Sequence, residues 1–336
     1  MTMDHPTLYP LRFGPIYQYR LWGGRRLAHF LSAPLPGNGS IGEAWILTDR
    51  DDHRSLVANG PLKGKNLEEL IKQFPEEVLG KLAGHSHRFP LLLKFLDVSK
   101  TLSVQVHPPD AYKELIPPGE TGKNEAWVVL QTGPEARIYA GLKPGATAEV
   151  LRQAITNGTV SEQLSHFSPK VGDGVLIPAG TVHALSDVVV FEVQENSDVT
   201  FRLFDWNHID PQTSRPRSLQ IDQALACINF ERGEISPETP VVEAAKPILR
   251  ERLMQCDHFG VWRMQGEAPF TVGAASLPRV LVCLAGKGDL KQGGVDCDFA
   301  QGDVVFLPAV IGACFCRPHG AVTVLEISLP EISGGA

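Results

Sequence analysis

The sequence is most tightly constrained at residues 172–183, which read Gly-Asp-Gly-Val-Leu-Ile-Pro-Ala-Gly-Thr-Val-His. Gly172 and Asp173 predict an acidic turn, Val175, Leu176 and Ile177 a short apolar strand, and Pro178 with Gly180 a corner. Proline fixes the bend and glycine supplies the backbone freedom that a tight corner needs. His183 therefore follows a rigid bend rather than a swinging loop. A side chain held in this way suits metal ligation, which requires a deprotonated imidazole at a fixed angle.

A single histidine does not make a metal site, and the chain offers further donors at Gln105, His107 and Glu125. Gln105-Val106-His107 reads as a strand, so residues 105 and 107 share one face. Glu125 opens the apolar run Ala126, Trp127, Val128, Val129, Leu130. Three short strands would then present Gln105, His107, Glu125 and His183 to one cation. All four are plausible donors to zinc, with the Gln105 amide the weakest.

Composition narrows the function classes. The chain has 336 residues, of which 43% are hydrophobic, enough for one large domain or two smaller ones. A formal charge of -7 and the lack of a long basic run argue against nucleic-acid binding. No apolar segment reaches membrane length, and residues 1–10 carry no signal-peptide pattern. The cysteines (Cys227, Cys256, Cys283, Cys297, Cys314, Cys316) form no C-x-x-C pair and read as reduced, mostly buried thiols of a cytoplasmic protein. The 32 glycines and 26 prolines fit many turns between short strands.

Residues 6–61 read as β-rich. Trp22-Gly23-Gly24 is a tight turn, with Trp22 either a core indole or a pocket wall, and Arg20, Arg25 or Arg26 near an anionic ligand. Glu43 stands at the mouth of a strand over 42–47, as a site carboxylate or an edge charge. Helices are expected near 66–84, where Asn66 caps and Leu67, Leu70, Ile71 and Phe74 share a face until Pro75 interrupts. Lys94 lies inside an apolar strand over 89–96, where an unpaired ammonium is costly to bury. It either snorkels at an edge or is paired. Residues 147–166 predict two short helices broken at Asn157-Gly158. Glu192 and Gln194 share a face of a central strand over 188–194. Ser218 is expected to cap a helix to about Ile228, and residues 234–246 to form a linker.

The chain also contains a repeat. Gly302-Asp303-Val304-Val305-Phe306-Leu307-Pro308-Ala309 echoes residues 172–179 at an offset of 130, which sets Ala313 where the first copy has His183. Two copies of one β-architecture are expected: a front unit over 1–235 that carries the chemistry, and a degenerate unit over 247–333 without the ligands.

The spacing Gly172, Pro178, Gly180, His183 resembles the second cupin motif, and Gln105, His107, Glu125 the first with glutamine for its leading histidine. Together with Lys94, Pro108, Lys123-Asn124, Ala184, Arg202, Trp22-Gly23 and residues 42–45, the set resembles type I phosphomannose isomerases, in particular their shorter bacterial forms. The resemblance implies a mainly β protein of two tandem cupin-type (jelly-roll) barrels with short helical insertions. It implies one Zn2+ per chain held by Gln105, His107, Glu125 and His183, Arg202 as a catalytic arginine, and Lys94 and Lys123 as pocket lysines. The implied reaction interconverts D-mannose 6-phosphate and D-fructose 6-phosphate. The large helical domain of longer family members has no counterpart in this sequence.

Aldose–ketose exchange is simplest as proton transfer through a cis-enediol. A divalent metal polarises the oxygen or holds the substrate, and a guanidinium such as Arg202 stabilises the enediolate without titrating. Lys123 shares a strand face with Glu125 and serves as acid/base or phosphate contact; Glu192 is the other candidate base. Trp22, Glu43 and Lys94 are candidate substrate contacts. The only partner implied is a small sugar phosphate, with no nucleic acid and no membrane, and monomer and dimer both stay open. Two other readings share these residues: a non-haem iron oxygenase, which also uses two histidines and a carboxylate, and a non-catalytic sugar-phosphate-binding cupin.

Overall fold

The computed structural model describes residues 8–292 and 295–330. Residues 1–7 and 331–333, the outer ends of the two expected units, lie outside the described residues. Strands dominate, and they pair antiparallel. The front sheet has nine strands, with the path Phe201–Phe204, Val104–Val106, His183–Glu195, Leu91–Val98, Glu43–Leu47, Ile16–Gln18. The strand Glu125–Leu142 branches from this path and pairs with His183–Glu195, Gly174–Ile177 and Leu164–Phe167.

His183–Glu195 is the hub. It lies between Leu91–Val98 and Glu125–Leu142, and its first residue reaches across to Gln105. Every residue of Leu91–Val98 is buried, which explains why its sequence shows an unbroken apolar run instead of alternation.

The rear part consists of a seven-stranded sheet and a four-stranded sheet. Gly174–Ile177 and Val304–Leu307 are both strands that end at a Pro-Ala step, and Ala313 immediately precedes the strand Cys314–Pro318. The N-terminal strand Leu11–Arg12 pairs with Val304–Leu307, so the start of the chain completes the rear sheet. One apolar cluster runs from Leu11, Phe13 and Ile46 to Phe259, Val261 and Phe306. Phe89 meets Phe306 edge-on at 5.5 Å.

The helices follow their local signals in part. Asn66 and Glu69 form a reciprocal capping box on Leu67–Gln73, and Pro75 opens Pro75–Leu79, where its missing N–H costs nothing. Thr147 caps Ala148–Asn157, and Gly158 ends it at φ 72°. The expected second helix of that stretch is instead one 3-10 turn, Val160–Gln163, followed by a strand, Leu164–Phe167. Leu164 is buried there and pairs with Leu142, so tertiary pairing overrides helix propensity. Ser218 does not cap: the helix is Ile221–Cys227, and the Ser218 carbonyl accepts from Arg202. The expected linker contains an edge strand, Val241–Ala244, paired with Leu249–Gln255.

Candidate metal centre and active site

His107 follows directly after Val104–Val106, Glu125 begins its long strand, and His183 begins the hub strand. The strand ends converge, and the three side chains are almost wholly buried. Nε2 of His107 lies 3.2 Å from Glu125 Oε2, and Nε2 of His183 lies 3.2 Å from Glu125 Oε1. Candidate ligand atoms of all three fall within 4.8 Å of one another.

The other ring nitrogens fix the tautomers. Nδ1 of His107 is 2.8 Å from the Val199 carbonyl, and Nδ1 of His183 is 2.9 Å from that of Thr181. A carbonyl can only accept, so each Nδ1 carries the proton and each Nε2 turns a lone pair inward. Burial and the nearby Lys123 charge push His107 down to about 4, and burial lowers His183 as well, so both rings are neutral. Burial pushes the Glu125 carboxyl up, but the charge of Lys123, 3.0 Å away, works against it and the carboxyl is held well below the usual range. The centre thus gathers lone pairs and a carboxylate. His107 Nε2 and Glu125 Oε1 are buried without a hydrogen bond, and Glu125 Oε2 has only the Lys123 ammonium at 3.0 Å. Buried polar atoms left in this state are costly, and a divalent cation among them removes the cost. The donor set therefore fits a metal ion.

Gln105 is the direct ladder partner of His183, and its amide nitrogen lies 3.2 Å from His183 Nε2. Lys123 Nζ lies 3.0 Å from Glu125 Oε2. The expected same-face relation of residues 123 and 125 is thus seen as a contact, although Lys123 precedes the strand.

A cavity of about 430 Å³ opens beside this centre. Gln105, Lys123, Glu125, Trp22, Glu43, Lys94, Glu192 and Arg202 all line it, and His107 and His183 lie behind them. Lys94 is buried and paired, not snorkelling. Its ammonium sits 3.2 Å from Glu192 and 3.9 Å from Glu43, over the Trp45 ring. Burial pulls Lys94 down, but these carboxylates outweigh it and raise its pKa. Burial pushes Glu43 up, yet Lys94, Arg20 and the Trp45 indole hold it at about 2. Glu43 is therefore no exposed edge charge. Trp22 is both a core indole and a cavity wall. Of the three arginines near it, Arg20 reaches the cavity. Arg25 instead donates to backbone carbonyls of Pro36 and Gly39, and Arg26 pairs with Asp97 and Asp187.

Arg202 donates to Ser103 Oγ and the Ser218 carbonyl. Burial and the neighbouring Arg217 bring it down to about 10. Sequence reading missed Arg217, which lines the cavity from an irregular segment with no periodic signal. It also missed Trp127, whose indole N–H donates to Glu192 at 2.9 Å and whose ring meets His183 edge-on at 5.5 Å. Trp127 read as one more residue of an apolar run. Its place two residues after Glu125 on a strand was the available signal.

Residues 11–126 match the family described as phosphomannose isomerase type I, catalytic domain. The chain is 34% identical to the probable mannose-6-phosphate isomerase GmuF of Bacillus subtilis, over 90% of this chain and 95% of that protein. ManA, a mannose-6-phosphate isomerase of the same organism, is 34% identical over 91% of this chain and 95% of its own length. The chain belongs to the type I phosphomannose isomerases. Its fold agrees: the crystal structure of a Bacillus subtilis mannose 6-phosphate isomerase superposes with a TM-score of 0.86 at 30% identity, covering 95% of this chain and 99% of that one. The curled antiparallel sheets are those of a cupin fold, as the sequence implied. No helix among the described residues of this family member is long and apolar enough to cross a membrane.

Proposed function

We propose that this chain interconverts D-mannose 6-phosphate and D-fructose 6-phosphate at a zinc site, by proton transfer through a cis-enediol. The observation that carries the reading is the meeting of His107, Glu125 and His183, each histidine with its Nε2 lone pair turned to Glu125, beside a cavity that Glu125 lines together with Lys94, Lys123, Arg202 and Arg217. Its relatives at 34% identity bear the name mannose-6-phosphate isomerase. His107, Glu125 and His183 would hold the metal, and Gln105 joins them once its amide turns its oxygen inward. When bound, the ion polarises a substrate oxygen and supplies positive charge where the enediolate forms.

The remaining roles fall to charged side chains already in the cavity. A carboxylate must remove the proton from C2 of the aldose and return one to C1, while O1 gains a proton and O2 loses one. Glu192 suits this transfer, because Trp127 and Lys94 fix its orientation. Lys123 and Arg202 stabilise the negative oxygen in between. Arg202 and Arg217 are neighbouring cations on the cavity wall, and although Asp205 pairs with Arg217, the two together offer a phosphate dianion a cationic contact. Lys94, Glu43 and Trp22 form the wall against which the sugar lies. The front unit to about residue 235 would carry this chemistry, with the rear unit packed behind it. Six free cysteines suit a reducing cytoplasm.

The test is a coupled assay with mannose 6-phosphate before and after chelation. Activity should disappear with the metal and return with zinc. In D2O, solvent deuterium should enter the product at C1. Turnover that survives complete metal removal contradicts the zinc site, and deuterium found in neither the product nor the recovered substrate after prolonged turnover contradicts an enediol whose base exchanges with solvent. Oxygen uptake with iron would support the oxygenase reading, and sugar-phosphate binding without turnover the non-catalytic one.

A further inference from the structure

Asn124 stands between Lys123 and Glu125 and spends every polar group it has. Its backbone N–H and its side-chain Nδ2 both donate to Glu195 Oε2, each at 2.7 Å. Its carbonyl accepts from the Glu195 N–H at 3.1 Å. Its Oδ1 accepts from the Ala179 N–H at 2.9 Å. Ala179 belongs to the corner that aims His183, and Glu195 ends the strand that His183 begins. Next to it, the Gly180 N–H donates to the His107 carbonyl at 2.8 Å. One asparagine and one corner therefore tie together the segments bearing all three candidate ligands.

The free oxygen of Glu195 leads to the rear unit. Oε1 lies 3.0 Å from Nδ1 of His258. His258 sits in the turn between Leu249–Gln255 and Gly260–Gly266, strands of the seven-stranded sheet. That turn is anchored: Phe259 is buried in the core shared by both units, and the Cys256 N–H donates to the Phe259 carbonyl. The hydrogen bond to Glu195 pushes His258 upward, toward its charged form. His258 and Glu195 also make a triad with Asp110. Unlike Glu125, however, Glu195 has both oxygens engaged by protein donors. Its geometry is that of a strut, not of a ligand.

We propose that Asn124, Glu195 and His258 are positioning residues for the metal centre, through which the rear sheet sets the metal affinity of the front one. This gives the ligand-free second unit a function in the chemistry of the first. The inference rests on the metal site proposed above. Groups that orient ligands from behind change metal affinity by roughly 10–100-fold when removed.

The test uses the full chain and measures zinc dissociation by chelator competition, with the visible spectrum of the cobalt-substituted protein as a second readout. Asn124→Ala should weaken zinc binding by about tenfold or more, and His258→Ala by about tenfold. Both should alter the cobalt spectrum. His258→Asn should restore affinity to within about threefold of wild type, because its amide nitrogen takes the place of Nδ1. If Asn124→Ala does not fold, the two His258 variants carry the test alone. Unchanged zinc affinity and spectrum in His258→Ala, with only thermal stability lowered, would overturn the strut. So would equal losses in His258→Ala and His258→Asn. Wild-type protein that binds no zinc would instead refute the metal site itself.

Discussion

Gln105 and His183 are direct partners across an antiparallel ladder although 78 positions separate them, and their side chains meet at 3.2 Å. This pairing turns two short sequence signals, a Gln-x-His strand and a Pro-x-Gly corner, into one centre. It also ranks the donors. A neutral amide binds zinc less strongly than an imidazole or a carboxylate. Gln105→Ala should therefore weaken zinc by about tenfold, whereas His183→Ala should abolish tight binding; chelator competition on the two variants checks the order.

Lys94 is a buried ammonium between Glu43 and Glu192. Lys94→Met removes the ammonium that pairs with Glu192 and leaves Glu43 to Arg20 alone. Removing one partner of a buried pair costs about 3–5 kcal/mol. Urea unfolding at neutral pH should show a loss of that size, with turnover reduced as well. Adding Glu192→Gln should recover part of the stability but not the turnover.

Arg202 and Arg217 should separate in kinetics. Arg202→Lys keeps the charge but loses the fork that reaches Ser103 and Ser218, so kcat should fall by about 10²-fold or more with zinc still bound. Arg217→Met should raise KM for mannose 6-phosphate more than it lowers kcat. Steady-state kinetics with metal analysis distinguishes the two. Loss of zinc from Arg202→Lys would contradict its assigned role.

Asp49 gives a stability signature in pH. Burial raises its carboxyl from 3.8 to about 6, with the Phe89 N–H bond working against the rise. Its contribution is complete below about pH 4, where both folded and unfolded chains hold the proton. It is lost as pH climbs through about 6, because the unfolded chain ionises freely and the folded one does not. Asp49→Asn should be more stable than wild type at pH 7.5 by about 2 kcal/mol and should flatten the profile between pH 4 and 7. Thermal melts across that range check the sign.

The legible parts of this molecule were those written locally. Residues 172–183 carry a strand, a corner and a ligand in twelve consecutive positions, and the corner holds as expected, with Gly180 at φ 84°. The Asn66–Glu69 capping box was equally local. The second apolar strand before a Pro-Ala step, Val304–Leu307, was local in the same way. What escaped was set by distant partners. Leu11–Arg12 joins the rear sheet through residues almost 300 positions away, and nothing in the two residues announces it. Leu164–Phe167 and Val241–Ala244 became strands because a neighbour offered a ladder. Arg217 and Trp127 gained their places from cavity shape and a single hydrogen bond.

The most direct measurement is metal content by elemental analysis after zinc loading and gel filtration, on wild type and on Glu125→Gln. Glu125 touches both histidines and supplies the only negative charge among the candidate ligands, so the account predicts one zinc per wild-type chain and close to none in the variant. Equal zinc in both proteins, or none in either, would contradict a metal held among His107, Glu125 and His183.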